Sequence, residues 1–197
     1  MLVARASTRM TRKLTAPDGR AKRPSAGAAF VRDSRGAVAI EFALLALPFF
    51  AIIAAILQTS VVFLSTQVLE SAVQDASRLI RTGQANKAGF DVGRFRTEVC
   101  NRLYGLFPDC AGLHVRVSVV TNFASATAAP PVNRSCTADC TWTVPSAYDG
   151  GTASKVILVQ AYYQYPIYVD IGGMGLADLP GSKRLLASTT VFRNEPF

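Results

Sequence analysis

Arg35-Gly36-Ala37-Val38-Ala39-Ile40-Glu41-Phe42 opens a long apolar run in this 197-residue chain. The next charged side chain after Glu41 is Glu70, so the 28 residues from Phe42 to Leu69 are uncharged. As an α-helix rising about 1.5 Å per residue they span roughly 42 Å, more than the ~30 Å hydrocarbon core of a bilayer. Glu41 sits at the mouth of that run. A carboxylate in lipid is costly at the centre and less so near the interface, so its position calls for a partner. The apolar run offers none. Were the Gly36–Ala37 peptide bond cut, the new α-amine of Ala37 would lie one helical turn before Glu41, on the same face. The carboxylate would also stand at the positive end of the helix dipole.

A glycine, four apolar residues and a glutamate in this order resemble the processing site of type IV prepilins. There, glycine closes the leader and glutamate is fifth in the mature chain. Glu41-Phe42 with Ala43-Leu44-Leu45-Ala46-Leu47-Pro48 resembles more particularly the TadE-like pseudopilins of tight-adherence (Flp-type) pilus systems. Two further stretches share the likeness: Ala72-Val73-Gln74-Asp75-Ala76-Ser77-Arg78, and Arg193-Asn194-Glu195-Pro196 after a Val-Phe strand. Residues 84–155 carry no family motif. The resemblance implies a pilin-like fold and removal of the leader through Gly36 by a prepilin peptidase. It also implies assembly with other pilin-like subunits and an inner-membrane pilus-assembly platform. Gly36, Ala37, Glu41 and Phe42 are then the processing and assembly residues. Read without the resemblance, the same residues also suit an uncleaved signal anchor with an accidental glutamate.

Charge is concentrated at one end. Residues 1–35 carry nine Lys or Arg against Asp18 and Asp33, a net of +7 out of the chain's formal +8. A basic segment directly before a lone apolar helix is the positive-inside signal. It puts the N-terminus in the cytoplasm and the chain after about residue 65 outside. With the resemblance, the expected organisation is a basic cytoplasmic leader at 1–36, a transmembrane helix at 37–60 and a periplasmic α+β domain at 61–197. The protein is then single-pass in the bacterial inner membrane. The run exceeds the roughly 7–15 apolar residues of a secretory signal core, so an anchor is preferred. The basic stretch lacks interleaved aromatics and the adjacent span accounts for it, so no nucleic-acid partner is expected.

Cys100, Cys110, Cys136 and Cys140 all fall in the segment assigned outside the cytoplasm. An even count in an oxidising compartment implies disulfides, with three possible pairings. Sequence proximity favours Cys100–Cys110 with Cys136–Cys140. A zinc site needs two close ligand pairs, whereas only Cys136 and Cys140 are near neighbours and His114 stands alone.

Within the long helix, Pro48 lacks an N–H and clashes with the preceding turn, so a kink is expected there. Beyond the lipid segment, Val61, Leu64, Val68, Leu69, Ala72, Val73, Ala76, Leu79 and Ile80 recur at three-and-four spacing. The pattern predicts an amphipathic continuation to about residue 82, stopped by Gly83. Asp91 is placed to cap a second, shorter helix reaching about Tyr104. Leu113–Val119 alternates as a strand with His114 on its polar phase, and Thr121–Lys155 reads as loop with a short strand at 141–144. Val156–Val159 is apolar on both phases, as in a central strand, and runs on to Pro166, which marks a bulge or an edge. Ile171–Lys183 is a glycine-rich loop without the Gly-Lys-Ser/Thr ending of a phosphate cradle. Leu185–Phe192 closes the sheet. The expected fold is α+β: a long helix packed on a small antiparallel, pilin-like sheet, with one further short helix.

One histidine, no persuasive carboxylate pair and no nucleophile elbow argue against an enzyme, and no cofactor is expected. The reading is a structural and interaction protein. The rival is an uncleaved single-span protein whose outer domain binds a ligand or cell-wall component through Tyr162, Tyr163, Tyr165 and Tyr168.

Overall fold

A computed structural model describes residues 34–108, 110–137, 139–169 and 175–197. The expected leader therefore lies outside the described residues up to position 33, as does the start of the glycine-rich loop. The chain divides into two compact units, Met1–Ala46 and Leu47–Phe197. In the first, the described residues are the opening turns of helix α1 (Ser34–Arg81), an α-helix that includes Pro48.

The second unit holds the rest of α1, the four-residue helix α2 (Gln84–Lys87), helix α3 (Val92–Cys100) and strands β1 (His114–Val120), β2 (Ala147–Tyr148), β3 (Val156–Pro166) and β4 (Lys183–Arg193). The sheet order is β2-β1-β3-β4. β3 pairs antiparallel with both β1 and β4, as the sequence pattern requires of a central strand. The sheet is nevertheless mixed and not purely antiparallel: β2 pairs parallel to β1, through Arg116↔Ala147 and Val117↔Tyr148. A parallel neighbour needs a long crossover, and the segment between β1 and β2 supplies one. The strand expected at 141–144 reduces to an isolated bridge between Val132 and Trp142.

Strand alternation sets the layers. Val115 and Val117 of β1, Ile157, Val159, Ala161, Tyr163 and Tyr165 of β3, and Leu186 of β4 point to one face, into the main core. Against that face pack Val62, Leu69, Ala72, Val73, Ala76 and Ile80 of α1, with Phe95 and Val99 of α3. Fully buried Leu69, Val73 and Ile80 each contribute about 1.5–3 kcal/mol by removal from water. The helix stripe differs from the expected one at its lower end, where Val61 and Leu64 are 41% and 52% exposed. Gln58, Val62, Ser65 and Leu69 take the buried side instead. In a stretch apolar all round neither hydrophobicity nor spacing marks a face: Gln58, Val62, Ser65 and Leu69 keep the helical interval just as Val61, Leu64 and Val68 do.

The opposite face of β3 is covered too. Leu158, Gln160 and Tyr162 are buried, and a small second cluster of Val132, Cys140 and Leu179 forms with Trp142 and Leu185 packed against it. Hence the double-phase apolar pattern of Val156–Val159.

Turn chemistry ends each element. The Asp91 carboxylate accepts the Arg94 N–H at 2.7 Å, capping α3, which is worth about 1 kcal/mol. α3 ends at Cys100, one turn short of the expected Tyr104. There the bonds tighten to Arg102 N–H→Val99 O and Leu103 N–H→Cys100 O, and Tyr104 adopts φ +50°. Cys100 is bonded to Cys110 and Cys136 to Cys140. Closing such short loops contributes about 2–3 kcal/mol each by the chain-entropy estimate.

Contacts at both ends fix the direction of the strands along α1. Near the start of the packed part of the helix, Gln58 Oε1 accepts the Tyr168 N–H, just beyond β3. At the other end, the Glu195 N–H just beyond β4 donates to Arg81 O at 2.9 Å. β4 therefore runs in the same sense as α1, and β3 runs against it.

Candidate processing and assembly site

Gly36, Ala37, Glu41 and Phe42 all lie on α1. Gly36 is exposed, and a Cβ built on it meets no atom within 4 Å. Alanine therefore fits at position 36 without steric cost to the helix. Glu41 is exposed, four residues after Ala37, so the helix puts the two positions on one face. Phe42 is 69% exposed.

The surroundings of Glu41 are apolar on every side of the helix. Val38, Ile40, Leu44, Leu45, Leu47, Phe49, Phe50, Ile52, Ile56 and Leu57 are all at least half exposed. Such a surface is lipid-facing or covered by partner helices. Over 44 residues, Val38–Arg81, the helix is long and apolar enough to cross a membrane. Where hydroxyls begin, they are turned inward on the helix itself. Thr59 Oγ1 donates to Ala55 O at 2.7 Å, and Ser60 Oγ to Ile56 O at 2.8 Å. This back-bonding hides their polarity from an apolar environment.

The C-terminal residues, noted in the sequence only for a likeness, form a clasp on the far end of α1. Asn194 is buried, and its Nδ2 donates to Gly150 O at 2.9 Å and Thr152 O at 3.0 Å. Arg193 Nε donates to Ser154 O. The Phe197 ring lies over Gly83, where an added Cβ would come within 2.5 Å of Phe197 Cγ. Gly83 also has φ +75°, so glycine is required there twice over.

His114 was expected on the solvent side of β1. It is 3% exposed, stacked on Trp142, with Nδ1 3.2 Å from Ser146 Oγ. Burial first, then the charges of Arg96 and Arg116, hold its pKa below the usual histidine range. The signal that could have found it is Trp142, an aromatic in a polar loop with no other platform. The four tyrosines of the rival reading do not share a wall. Tyr163 and Tyr165 face the main core, edge-on to Phe107. Tyr162 lies on the opposite face beside His114, and Tyr168 is 74% exposed. Among the described residues, no group of three or more His, Cys, Asp or Glu is placed to hold a metal ion.

Gly36 lies in the first turn of α1, Glu41 follows one turn after Ala37, and apolar residues give way to an amphipathic half. A search against protein families places this same stretch. Residues 36–78 match the TadE-like protein family. The TadE-like segment thus begins at Gly36 and ends within the amphipathic half of α1, covering less than a quarter of the chain. It points to a protein associated with the Tad pilus, and the one long apolar helix among the described residues fits a single-pass membrane protein. No curated protein and no solved structure matches the chain.

Proposed function

We propose that the chain is a minor pilin-like (pseudopilin) subunit used in assembling an adhesive tight-adherence pilus. A prepilin peptidase removes residues 1–36 by cutting after Gly36. Residues 37–60 remain as the membrane helix, with the N-terminus on the cytoplasmic side of the bacterial inner membrane. Residues 61–197 form the periplasmic domain, where an oxidising compartment favours paired cysteines. In the membrane, helices of other pilin-like subunits and the assembly platform cover the apolar surface of α1. A bend at Pro48 would help α1 adapt as it packs, because neighbours can satisfy the carbonyl that proline leaves free.

The observation that carries this reading is the carboxylate of Glu41 one turn after Ala37, on a helix whose apolar side chains are exposed all round. Cleavage creates an α-amine that neutralises the acid, either in the same chain or in a neighbour. The family match beginning at Gly36 supports the same site.

Replacing Glu41 with valine tests the pairing. Glu41→Val should insert and accumulate in the membrane at wild-type levels. It should lose pilus formation at least about tenfold, since truncating one partner of a buried charge pair costs some 2–5 kcal/mol. Wild-type piliation by this variant would exclude the amine-pairing role.

A further inference from the structure

The two edges of the sheet are built differently. β2 closes one side with only two residues. β4 closes the other with eleven, in unbroken register with β3 from Val156↔Arg193 to Pro166↔Lys183 and with no bulge. From Leu185 to Phe192 this edge strand holds no charge, no proline and no glycine. Soluble domains ordinarily blunt a long open edge with one of these devices, because its unpaired N–H and C=O groups are a template for another strand.

Three hydrogen bonds assign the outward groups. Ile167 N–H donates to Ser182 O, and Asn194 N–H to Lys155 O, so even-numbered residues of the β4 line face β3. Leu185 N–H turns the other way, to Asp178 Oδ1 at 2.7 Å. In an antiparallel ladder this alternation continues along the strand, so the N–H and C=O groups of Ala187, Thr189 and Val191 point outward. Among the described residues no strand pairs with them. Asp178 and Leu179 cap the start of the edge, and Arg81 O takes the Glu195 N–H at its end. Among the described residues the middle stays open. Beside it runs a groove of about 370 Å³ between Thr190, Val191 and Phe192 and the exposed Gln74, Asp75 and Arg78 of α1.

We infer that the open edge of β4 receives an extended strand from a different polypeptide, which extends the sheet along the groove. The proposed pairing is antiparallel, the more stable arrangement per residue and the one β4 already makes with β3, and it excludes β4 of a second copy of this chain. β4 runs in the same sense as α1, so such pairing would send the two membrane helices in opposite directions. The incoming strand's alternate residues meet two environments. One row faces Gln74, Asp75 and Arg78 and is polar, with charges opposed to theirs. The other continues the row of Ala187, Thr189 and Val191 and is small or β-branched. This goes beyond the processing reading and needs only the common membrane orientation of α1.

Amide hydrogen exchange on the full chain tests it, comparing protein in envelope vesicles of the native host with the same protein purified in detergent. In the vesicles the amides of Ala187, Thr189 and Val191 should exchange at least about tenfold more slowly, while those of Ser188 and Thr190 are unchanged. Equal rates at the three outward amides would overturn the proposal, whatever the state of the N-terminus. Thr189→Pro removes one outward N–H and no backbone bond to β3, along with the Thr189 hydroxyl that bonds Tyr162, and should abolish the protection at Ala187 and Val191. Thr189→Val keeps the N–H and should retain it. Protection that survives in a folded Thr189→Pro protein would also overturn the proposal. Should that variant not fold, the wild-type comparison decides.

Discussion

The indole of Trp142 stacks on the imidazole of His114, with ring centroids 4.4 Å apart and planes 19° from parallel. Tyr162 completes the aromatic surround, Ser146 meets one ring nitrogen, and Nε2 is buried with no hydrogen-bond partner among the described residues. The charges of Arg96 and Arg116 both act on the His114 ring and oppose a further positive charge there.

The pH dependence of stability follows. His114 has a lowered pKa in the folded state, so between that value and about 6.5 the unfolded chain binds more protons. Its contribution is therefore complete above about pH 7 and is lost as pH falls through 6.5 and below, by at most about 1.4 kcal/mol per pH unit. Urea midpoints of the membrane-extracted protein at pH 7.5, 6.5 and 5.5 (roughly the titration window) should decline. The decline should flatten in His114→Gln.

The corrected stripe on α1 separates two neighbouring leucines. Leu69 is fully buried whereas Leu64 is 52% exposed. Leu69→Ala should destabilise the domain by about 2–5 kcal/mol. Leu64→Ala should change domain stability by under about 0.5 kcal/mol. Denaturant unfolding monitored at Trp142 reads both.

The terminal clasp should depend on Asn194 more than on the neighbouring ion pair. Arg81 and Glu195 are about half exposed at 3.3 Å, a geometry worth at most about 1 kcal/mol. Asn194→Ala leaves the Gly150 and Thr152 carbonyls without their donor and should cost about 1–3 kcal/mol. Glu195→Gln should cost less, by the same unfolding assay.

Much of this architecture is legible in the residues, because the signals are local and periodic. Asp91 caps a helix and Gly83 stops one through backbone physics that needs no tertiary context. β3 declares itself central by being apolar on both phases, and burial on both faces follows. What stays hidden is set by partners distant in sequence. His114 looks like a polar-phase residue until Trp142 and Tyr162 cover that face. Ala147-Tyr148 carries no strand signal of its own and pairs with β1 only because the crossover delivers it there. Val61 and Leu64 keep the three-and-four spacing and still face outward, in a stretch where lipid and core make the same demand. At the proposed processing site the limit is different. The order Gly36, Ala37, Glu41 is plain in the sequence, and the chemistry proposed for it turns on cleavage of the Gly36–Ala37 bond.

That event is directly measurable. N-terminal sequencing of the protein extracted from membranes of its native host, beside Gly36→Ala expressed in the same cells, tests it. Wild type should begin at Ala37, and the variant should persist as a heavier species still carrying the basic leader. An intact Gly36–Ala37 bond in the wild-type protein would contradict the account.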